Sequence, residues 1–366
     1  MINYWVDAAG AFGIEEFIAQ RAPGLAQRIR VCTYESLTAE LRVTRGAHIF
    51  TALDQLTPAG REAIIALYDQ LAEHCPGDPL LNDPRRVLGR YRLLMAMHDA
   101  GINGFRVRRA GESLDGARFP VFVREETGHD GALTGRLHDS RAVAAALRSL
   151  RMRGYRSDNL LVVEFCDVSD ADGRFRMATA FTVGGRIIPA FLLRGTGWML
   201  KWDQSDKDEG AMRELVDHIE GNPHEAWARR VFDLAGVDYG RLDYGVRGST
   251  LQVWEINVGP TPGPSRGPPP PPLAPASEAL WTRGRMFYTK AMERAFAALD
   301  PGISREQAVI RLAPSLVERM HAENAARRQR QTTLRFLRSL YGHPIIGKPF
   351  RVLYSWLAPR RPDRIG

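Results

Sequence analysis

Apolar and polar positions switch between two periods along the chain. Near the N-terminus, "INYWVDA" reads as a strand, "GIEEFIAQRA" as a helix, and "RIRVCTYE" and "AHIFTAL" as two more strands. In "TPAGREAIIALYDQLAEHC" the apolar residues recur at helical spacing, with Thr57 placed as N-cap and Pro58 at the first helical position. The turn-rich "CPGDPLLNDP" closes this stretch. Strands interleaved with helices predict a small parallel α/β layer over residues 1–80.

The pattern then changes. "DPRRVLGRYRLLMAMHDAGING" predicts a helix capped by Asp83, opened by Pro84 and ended by Gly101, with Val87, Tyr91, Leu94, Met95 and His98 on one face. "FPVFVREETGHDGAL" is a strand running into a glycine-containing loop, "SRAVAAALRSLRMRG" a helix, and "NLLVVEFCDV" a strongly apolar strand. "FRMATAFTVGGRIIPAFLL" predicts a hairpin turning at Gly184-Gly185. "AMRELVDHIEGNPHEAWARRVFDLAG" is helical with a break near Asn222-Pro223. Two strands follow, then the proline-rich loop "GPTPGPSRGPPPPPLAPAS", the helix "ASEALWTRGRMFYTKAMERAFAAL" and a basic amphipathic tail. The expected division is 1–80, 81–300 with a lid subdomain at about 107–160, and a helical extension at 301–366.

Charge changes the picture once it is located. The formal net charge is +8, but residues 301–366 alone carry +9, which leaves the first 300 residues at −1. The body therefore gives no reason to expect a nucleic-acid groove. The tail is expected to dock on the body, or to serve as a handle for an acidic partner or an anionic membrane surface. No stretch approaches about 18 consecutive apolar residues, and "MINYWVDAAG" lacks the pattern of a signal peptide. The three scattered cysteines, Cys32, Cys75 and Cys166, have no metal spacing and fit a reducing, cytoplasmic compartment. Lysines number only four, Lys201, Lys207, Lys290 and Lys348, so lysine-dependent chemistry has few candidates. No G-x-S-x-G occurs, and His224 in "HEAWARR" lacks the second histidine of a zinc helix.

Candidate chemistry gathers in "RLDYGVRGSTLQVWEINVGPTPG", from Arg241 to Gly263. Strand alternation puts Glu255 and Asn257 on one face, and a hairpin partner carrying Asp243 adds a third oxygen ligand. Three hard oxygen donors on a rigid sheet suit Mg²⁺ held together with a nucleotide. Arg241, two residues before Asp243, could neutralise a transferring phosphate. Taken alone, the same residues also fit two surface strands with ordinary polar faces.

R-x-D followed by E-x-N-x-x-P, after a helix ending "AGVDYG", resembles the metal-and-phosphate core of the ATP-grasp superfamily. The D-alanine–D-alanine ligase and glutathione synthetase group is the nearest comparison, and the resemblance covers roughly residues 80–263. It implies an ATP-grasp α/β (α+β) fold with an N-terminal pre-domain and a helical C-terminal extension. It also implies ATP and Mg²⁺, or Mn²⁺ in its place, with Asp243, Glu255 and Asn257 as metal-binding residues. Two nucleotide-contacting lysines of the family would be arginines here, Arg90 in "GRYRLLMAMHDAGI" and Arg124 in "PVFVR". The phosphate loop would be "EETGHDGALTG", with His129 and Asp130 where the family is richer in glycine and serine. Glu164 would fall at the adenine contact, with the backbone at Phe165 and Cys166 lining the base. Lys201, in "GWMLKWDQ", would face the γ-phosphate beside Arg241, and Arg194 in "AFLLRGTGW" could face substrate or solvent. The implied reaction is ligation of a small-molecule or peptide carboxylate to an amine (or thiol) through an acylphosphate, by a monomer or homodimer. Phosphorylation of a hydroxyl, and nucleotide binding without turnover, fit the same residues.

Overall fold

A computed structural model of the chain describes residues 1–128, 131–263, 272–300, 302 and 306–342, with side chains described as far as 333. Two compact units emerge: Met1–Gly104 with Cys166–His321, and Phe105–Phe165 with the chain from Ala322 onward. This grouping is drawn differently from the three-part division expected from the sequence.

The larger unit opens with β1 (Ile2–Val6), α1 (Ala11–Gln20), β2 (Ile29–Thr33), β3 (Glu40–Thr44), β4 (Ala47–Phe50), α2 (Pro58–His74), β5 (Leu80–Leu81) and α3 (Arg90–Asp99). Strands β2-β1-β4-β5 form a parallel sheet in that order. Every residue of β1 is buried, as a parallel strand covered on both faces requires. Helix α2 starts as the sequence predicts: the Thr57 hydroxyl accepts the Gly60 amide at 3.1 Å, and Ala63, Ile64, Leu67 and Leu71 face the core. Helix α3 does not start at Pro84. The Asp83 carboxylate accepts the amide of Arg85, only two residues on, and the Leu88 amide bonds to the Ala235 carbonyl, so helix begins at Arg90. Packing on β12 (Thr250–Asn257) turns Leu93, Leu94 and Met97 inward; of the expected stripe Leu94 is buried, while Val87, Tyr91, Met95 and His98 are only half-buried.

Asn82 sits just past β5 in the left-handed region, at φ 64°. Its buried amide donates to the carbonyls of Phe50 and Tyr239 and accepts from the amides of Asp238 and Tyr239, at 2.7–3.0 Å. One side chain thus ties β4 to the start of β11 (Tyr239–Arg247).

The smaller unit contains β6 (Val107–Arg109), β7 (Val121–Glu125), α4 (Ser140–Met152) and β8 (Leu160–Glu164). The antiparallel order is β6-β8-β7. Asp139 caps α4 by accepting the Ala142 amide at 2.7 Å, and Val143 and Leu150 pack with Val121, Val123, Leu160 and Val162. The apolar run "NLLVVEFCDV" ends as a strand at Glu164.

Returning to the larger unit, the chain forms β9 (Phe175–Val183), β10 (Arg186–Gly195), α5 (Glu209–Gly221), α6 (Glu225–Ala235), β11 and β12. Helix α7 (Pro275–Leu299) follows, then β13 (Gln307–Arg311) and α8 (Pro314–Gly342). Gly184 and Gly185 turn the β9–β10 hairpin with φ +57° and +80°, values that side chains disfavour. The α5–α6 break falls at Asn222, with φ 42°. The second sheet is antiparallel, in the order β10-β9-β11-β12. Its edge strand β12 is pinned by Asn103, whose side chain bonds both the amide and the carbonyl of Val253.

The C-terminal extension is not simply helical. Strand β13 pairs antiparallel with β3, an element the sequence pattern missed, and Ile310, Leu312, Val317 and Met320 enter the core. Helix α8 continues to Gly342. The side chains of Leu334, Phe336, Leu337, Leu340 and Tyr341, and the residues from 343 on, lie outside the described residues, as does most of the polyproline run (264–271).

Two buried histidines give acid-dependent stability. His48 accepts the Trp5 indole N–H, and His218 is buried on α5. Burial pushes both down to about 4. The unfolded chain binds their protons below about pH 6.5, whereas the folded chain resists them until about pH 4, so stability is lost as pH falls through this window. The expected loss is on the order of 3 kcal/mol for each histidine. Urea melts at pH 7, 6 and 5 should show the midpoint falling, and His218→Phe should flatten the fall. An unchanged midpoint at pH 5 would contradict the assignment.

Candidate functional site

The register of β11 and β12 builds the site. Arg241 stands opposite Asn257, and Asp243 opposite Glu255. Directly opposed residues of an antiparallel pair share a face, as do alternate residues of one strand. Arg241, Asp243, Glu255 and Asn257 therefore form a two-by-two patch on one face of the sheet. On the neighbouring strand, Phe181 pairs with Arg241 and Thr179 with Asp243.

Just beyond this patch the register shifts, with Tyr244 opposite Val253, so that Trp254 is the extra residue of a bulge. The Trp254 indole fills the space over Gly245: a Cβ there would lie 2.5 Å from Trp254 Cζ2 and 3.0 Å from Val168 Cγ2. Gly245→Val is therefore expected to disturb the bulge and move Glu255. It should cost about 1–3 kcal/mol by overpacking and weaken any metal binding at Glu255. A thermal melt and a metal titration of that variant check this, and wild-type behaviour in both would show that the bulge does not set the site.

Arginines compensate both carboxylates. Arg241 forms a two-pronged pair with Asp243, Nε to Oδ1 at 2.7 Å and Nη2 to Oδ2 at 2.8 Å. Arg90, buried at the first position of α3, reaches Glu255 Oε2 with Nη2 at 2.7 Å. Burial works against the Arg241 charge, but the Asp243 and Glu255 carboxylates outweigh it and raise its pKa. The Asn257 side-chain oxygen accepts the Gly259 amide at 2.9 Å, fixing the amide in place. Gly259 in turn packs against Ala52, where a Cβ would lie 3.1 Å from backbone atoms.

The donor set fits a hard divalent cation: two carboxylates and an amide oxygen on paired strands. An ionised carboxylate has about four acceptor positions, so an arginine partner does not exhaust it. Among the described residues, no group of three or more His, Cys, Asp or Glu side chains could hold a metal, so the amide of Asn257 is needed to complete the set.

Lys201 is exposed, just before the short turn Trp202–Gln204. Arg194 is mostly buried in an ion network with Asp206, Asp208 and Glu214, the last of which also pairs with Arg176. Its chemistry is spent within the fold. His224 precedes α6, with Nδ1 3.0 Å from the Tyr244 hydroxyl. Cys166 is half-buried and not in a disulfide.

In the smaller unit, Glu164 is buried at the end of β8. It accepts the amides of Arg106 and Arg118 at 3.1 Å, the Arg108 guanidinium at 3.1 Å and the Arg118 guanidinium at 3.1–3.2 Å. Burial opposes its ionisation, but the Arg118 amide, the Arg108 guanidinium and the Arg106 amide outweigh burial and hold its carboxyl below the usual range. No motif marked Arg108 and Arg118 as its partners, because they lie 56 and 46 residues away in sequence. Arg124 is buried on β7, opposite Leu161. The Phe165 amide donates to the Pro120 carbonyl, and its ring lies under Arg136. His129 and Asp130 lie outside the described residues.

No protein-family model and no curated protein matches the sequence. Solved structures do match. The chain is similar to D-alanine–D-alanine ligase from Bacillus anthracis in complex with ATP, at 12% identity over 81% of this chain and 98% of that one, with a TM-score of 0.44. It is similar to a RimK domain ATP-grasp protein from Sphaerobacter thermophilus, at 16% identity over 82% and 99%, with a TM-score of 0.44. It is also similar to the ATP-grasp ligase PsnB bound to a minimal precursor, Mg and ADP, at 13% identity over 77% and 97%, with a TM-score of 0.44. Two of these neighbours are named as ligases and two as ATP-grasp proteins.

Proposed function

We propose that this chain is an ATP- and Mg²⁺-dependent ligase that joins a carboxylate to an amine. The observation that carries the proposal is the patch on β11 and β12: two carboxylates and an amide on one face, each carboxylate paired to an arginine that could turn to phosphate. In this reading Asp243, Glu255 and Asn257 hold Mg²⁺, which supplies charge neutralisation for the polyphosphate when bound. Arg241, held charged by its neighbours, stabilises negative charge on the transferring phosphoryl group, with Lys201 as a second cation. Arg90 and Arg124 contact the nucleotide. The base is lined by Glu164, Phe165 and Cys166, and because the Phe165 amide already has a partner, any contact from that residue would fall to its carbonyl.

A substrate carboxylate oxygen bonds to the γ-phosphorus as the bond to ADP breaks. The amine nitrogen then bonds the acyl carbon and loses a proton as inorganic phosphate leaves. Neither step needs a nucleophile from the protein. The test is phosphate release from ATP against pools of small-molecule and peptide carboxylates, each with and without pooled amines. Release that depends on an added amine supports the reading. A phosphorylated product without ligation, or nucleotide binding with no turnover in any pool, would replace it.

A further inference from the structure

We infer that Arg21 and Arg285, which flank the backbone at Pro262 and Gly263, form a carboxylate-binding subsite for the substrate. The inference rests on the ligase reading for what the substrate is, and on the following placement for where its second anionic group goes.

The half-buried or buried arginines of the larger unit are characteristically ion-paired: Arg45 with Asp78, Arg90 with Glu255, Arg176 and Arg194 with Glu214, Arg241 with Asp243. Arg21 and Arg285 are also half-buried, yet neither has a hydrogen bond or ion pair from its side chain among the described residues. Both flank the same short stretch of backbone. Phe17, one helical turn before Arg21, lies against Gly263, where a Cβ would be 3.1 Å from the Phe17 Cα. Tyr288, one turn after Arg285, donates from its buried hydroxyl to the Pro262 carbonyl at 3.1 Å. Pro262 and Gly263 follow Asn257 by only five and six residues, and Thr261 is packed on Gly13 of α1. Helix α7 also packs on the turn Pro23–Leu25 directly after Arg21. Glu293 lies near that turn and is paired with neither arginine.

The electrostatics agree with this placement. The charges of Arg241 and Arg21 both reach the Tyr288 hydroxyl. Burial lowers the pKa of Arg21, and the like charge of Arg285 lowers it further. Two half-buried guanidinium groups of like charge with no ion partner among the described residues are an unfavourable arrangement that a bound anion relieves. Their planar forks match a carboxylate. The substrate class this favours carries a second carboxylate remote from the reacting group, as a dicarboxylic acid or a peptide does.

The experiment is a thermal-shift titration of the full chain with glutarate at matched ionic strength, with inorganic phosphate as the comparison anion and Mg·ATP as a separate arm. Glutarate should raise the melting temperature saturably in the wild type. Arg21→Gln with Arg285→Gln should weaken its apparent affinity about tenfold or more. Arg42→Gln, an exposed arginine on β3, should leave it unchanged. If the double variant does not fold, Arg285→Gln alone and Arg21→Lys take its place, with weakening expected for the first and partial retention for the second. Equal glutarate affinity in wild type and variants, no saturable shift, or a response to phosphate alone would overturn the subsite. A wild type that responds to glutarate but not to Mg·ATP would instead remove the ligase reading and leave the subsite standing.

Discussion

Replacing Glu255 with glutamine is expected to lower amine-dependent phosphate release by roughly a hundredfold or more while leaving the fold in place. Glu255 has two roles in this account. It supplies one of the two carboxylates of the proposed cation site, and it neutralises Arg90, which is buried at the first position of α3. Glutamine keeps an oxygen for the Arg90 guanidinium but removes the negative charge. The structural cost should therefore be limited, about 1–3 kcal/mol for a weakened charge-assisted bond. Alanine would remove the carboxylate that Arg90 pairs with and confuse loss of chemistry with loss of structure, since breaking a buried ion pair costs about 3–5 kcal/mol. The check is a steady-state assay at saturating Mg²⁺, paired with a urea melt. Turnover at the wild-type rate in a folded Glu255→Gln protein would place the chemistry elsewhere.

The largest expected effect on stability is at Asn82. Its side chain makes four hydrogen bonds to backbone groups, three of them buried, that join β4 to the start of β11. Asn82→Ala removes them all and leaves two carbonyls and two amides to find other partners, at a cost of about 3–5 kcal/mol. The positive φ adds strain for alanine that asparagine tolerates better. Asn82→Gly separates the two contributions, because glycine accepts the backbone angle but makes none of the bonds. Both variants should show urea midpoints far below the wild type, with glycine recovering only a small part of the loss. A glycine variant as stable as the wild type would mean that the backbone angle, not the bonding, is what Asn82 provides.

The elements nearest the candidate site were the most legible in the sequence. Alternation in "EIN" and the tight hairpin put Asp243, Glu255 and Asn257 on one face, and the β11–β12 register has them there. The Gly184-Gly185 turn and the Thr57 cap were equally local signals. What could not be read locally was set by distant partners. Strand β3 pairs with β13, about 265 residues later in the chain. The start of α3 is decided by Leu88 bonding to Ala235 and by Asp83 turning back on Arg85. The pairing of Arg90 with Glu255, and the arginines gathered on Glu164, span tens to hundreds of residues with no repeating spacing to betray them. Arg194 was ambiguous for the same reason: its three carboxylate partners come from a loop and from α5.

The most direct measurement of metal-assisted nucleotide binding at Asp243 and Glu255 is calorimetric titration of the full chain with a non-hydrolysable ATP analogue, with Mg²⁺ present and with Mg²⁺ removed by EDTA. It should be run on the wild type and on Asp243→Asn combined with Glu255→Gln. Binding to the wild type is expected to depend on Mg²⁺, weakened at least tenfold in the double variant and at least tenfold in the wild type without the metal. Equal binding with and without Mg²⁺, or equal binding by wild type and double variant, would contradict it.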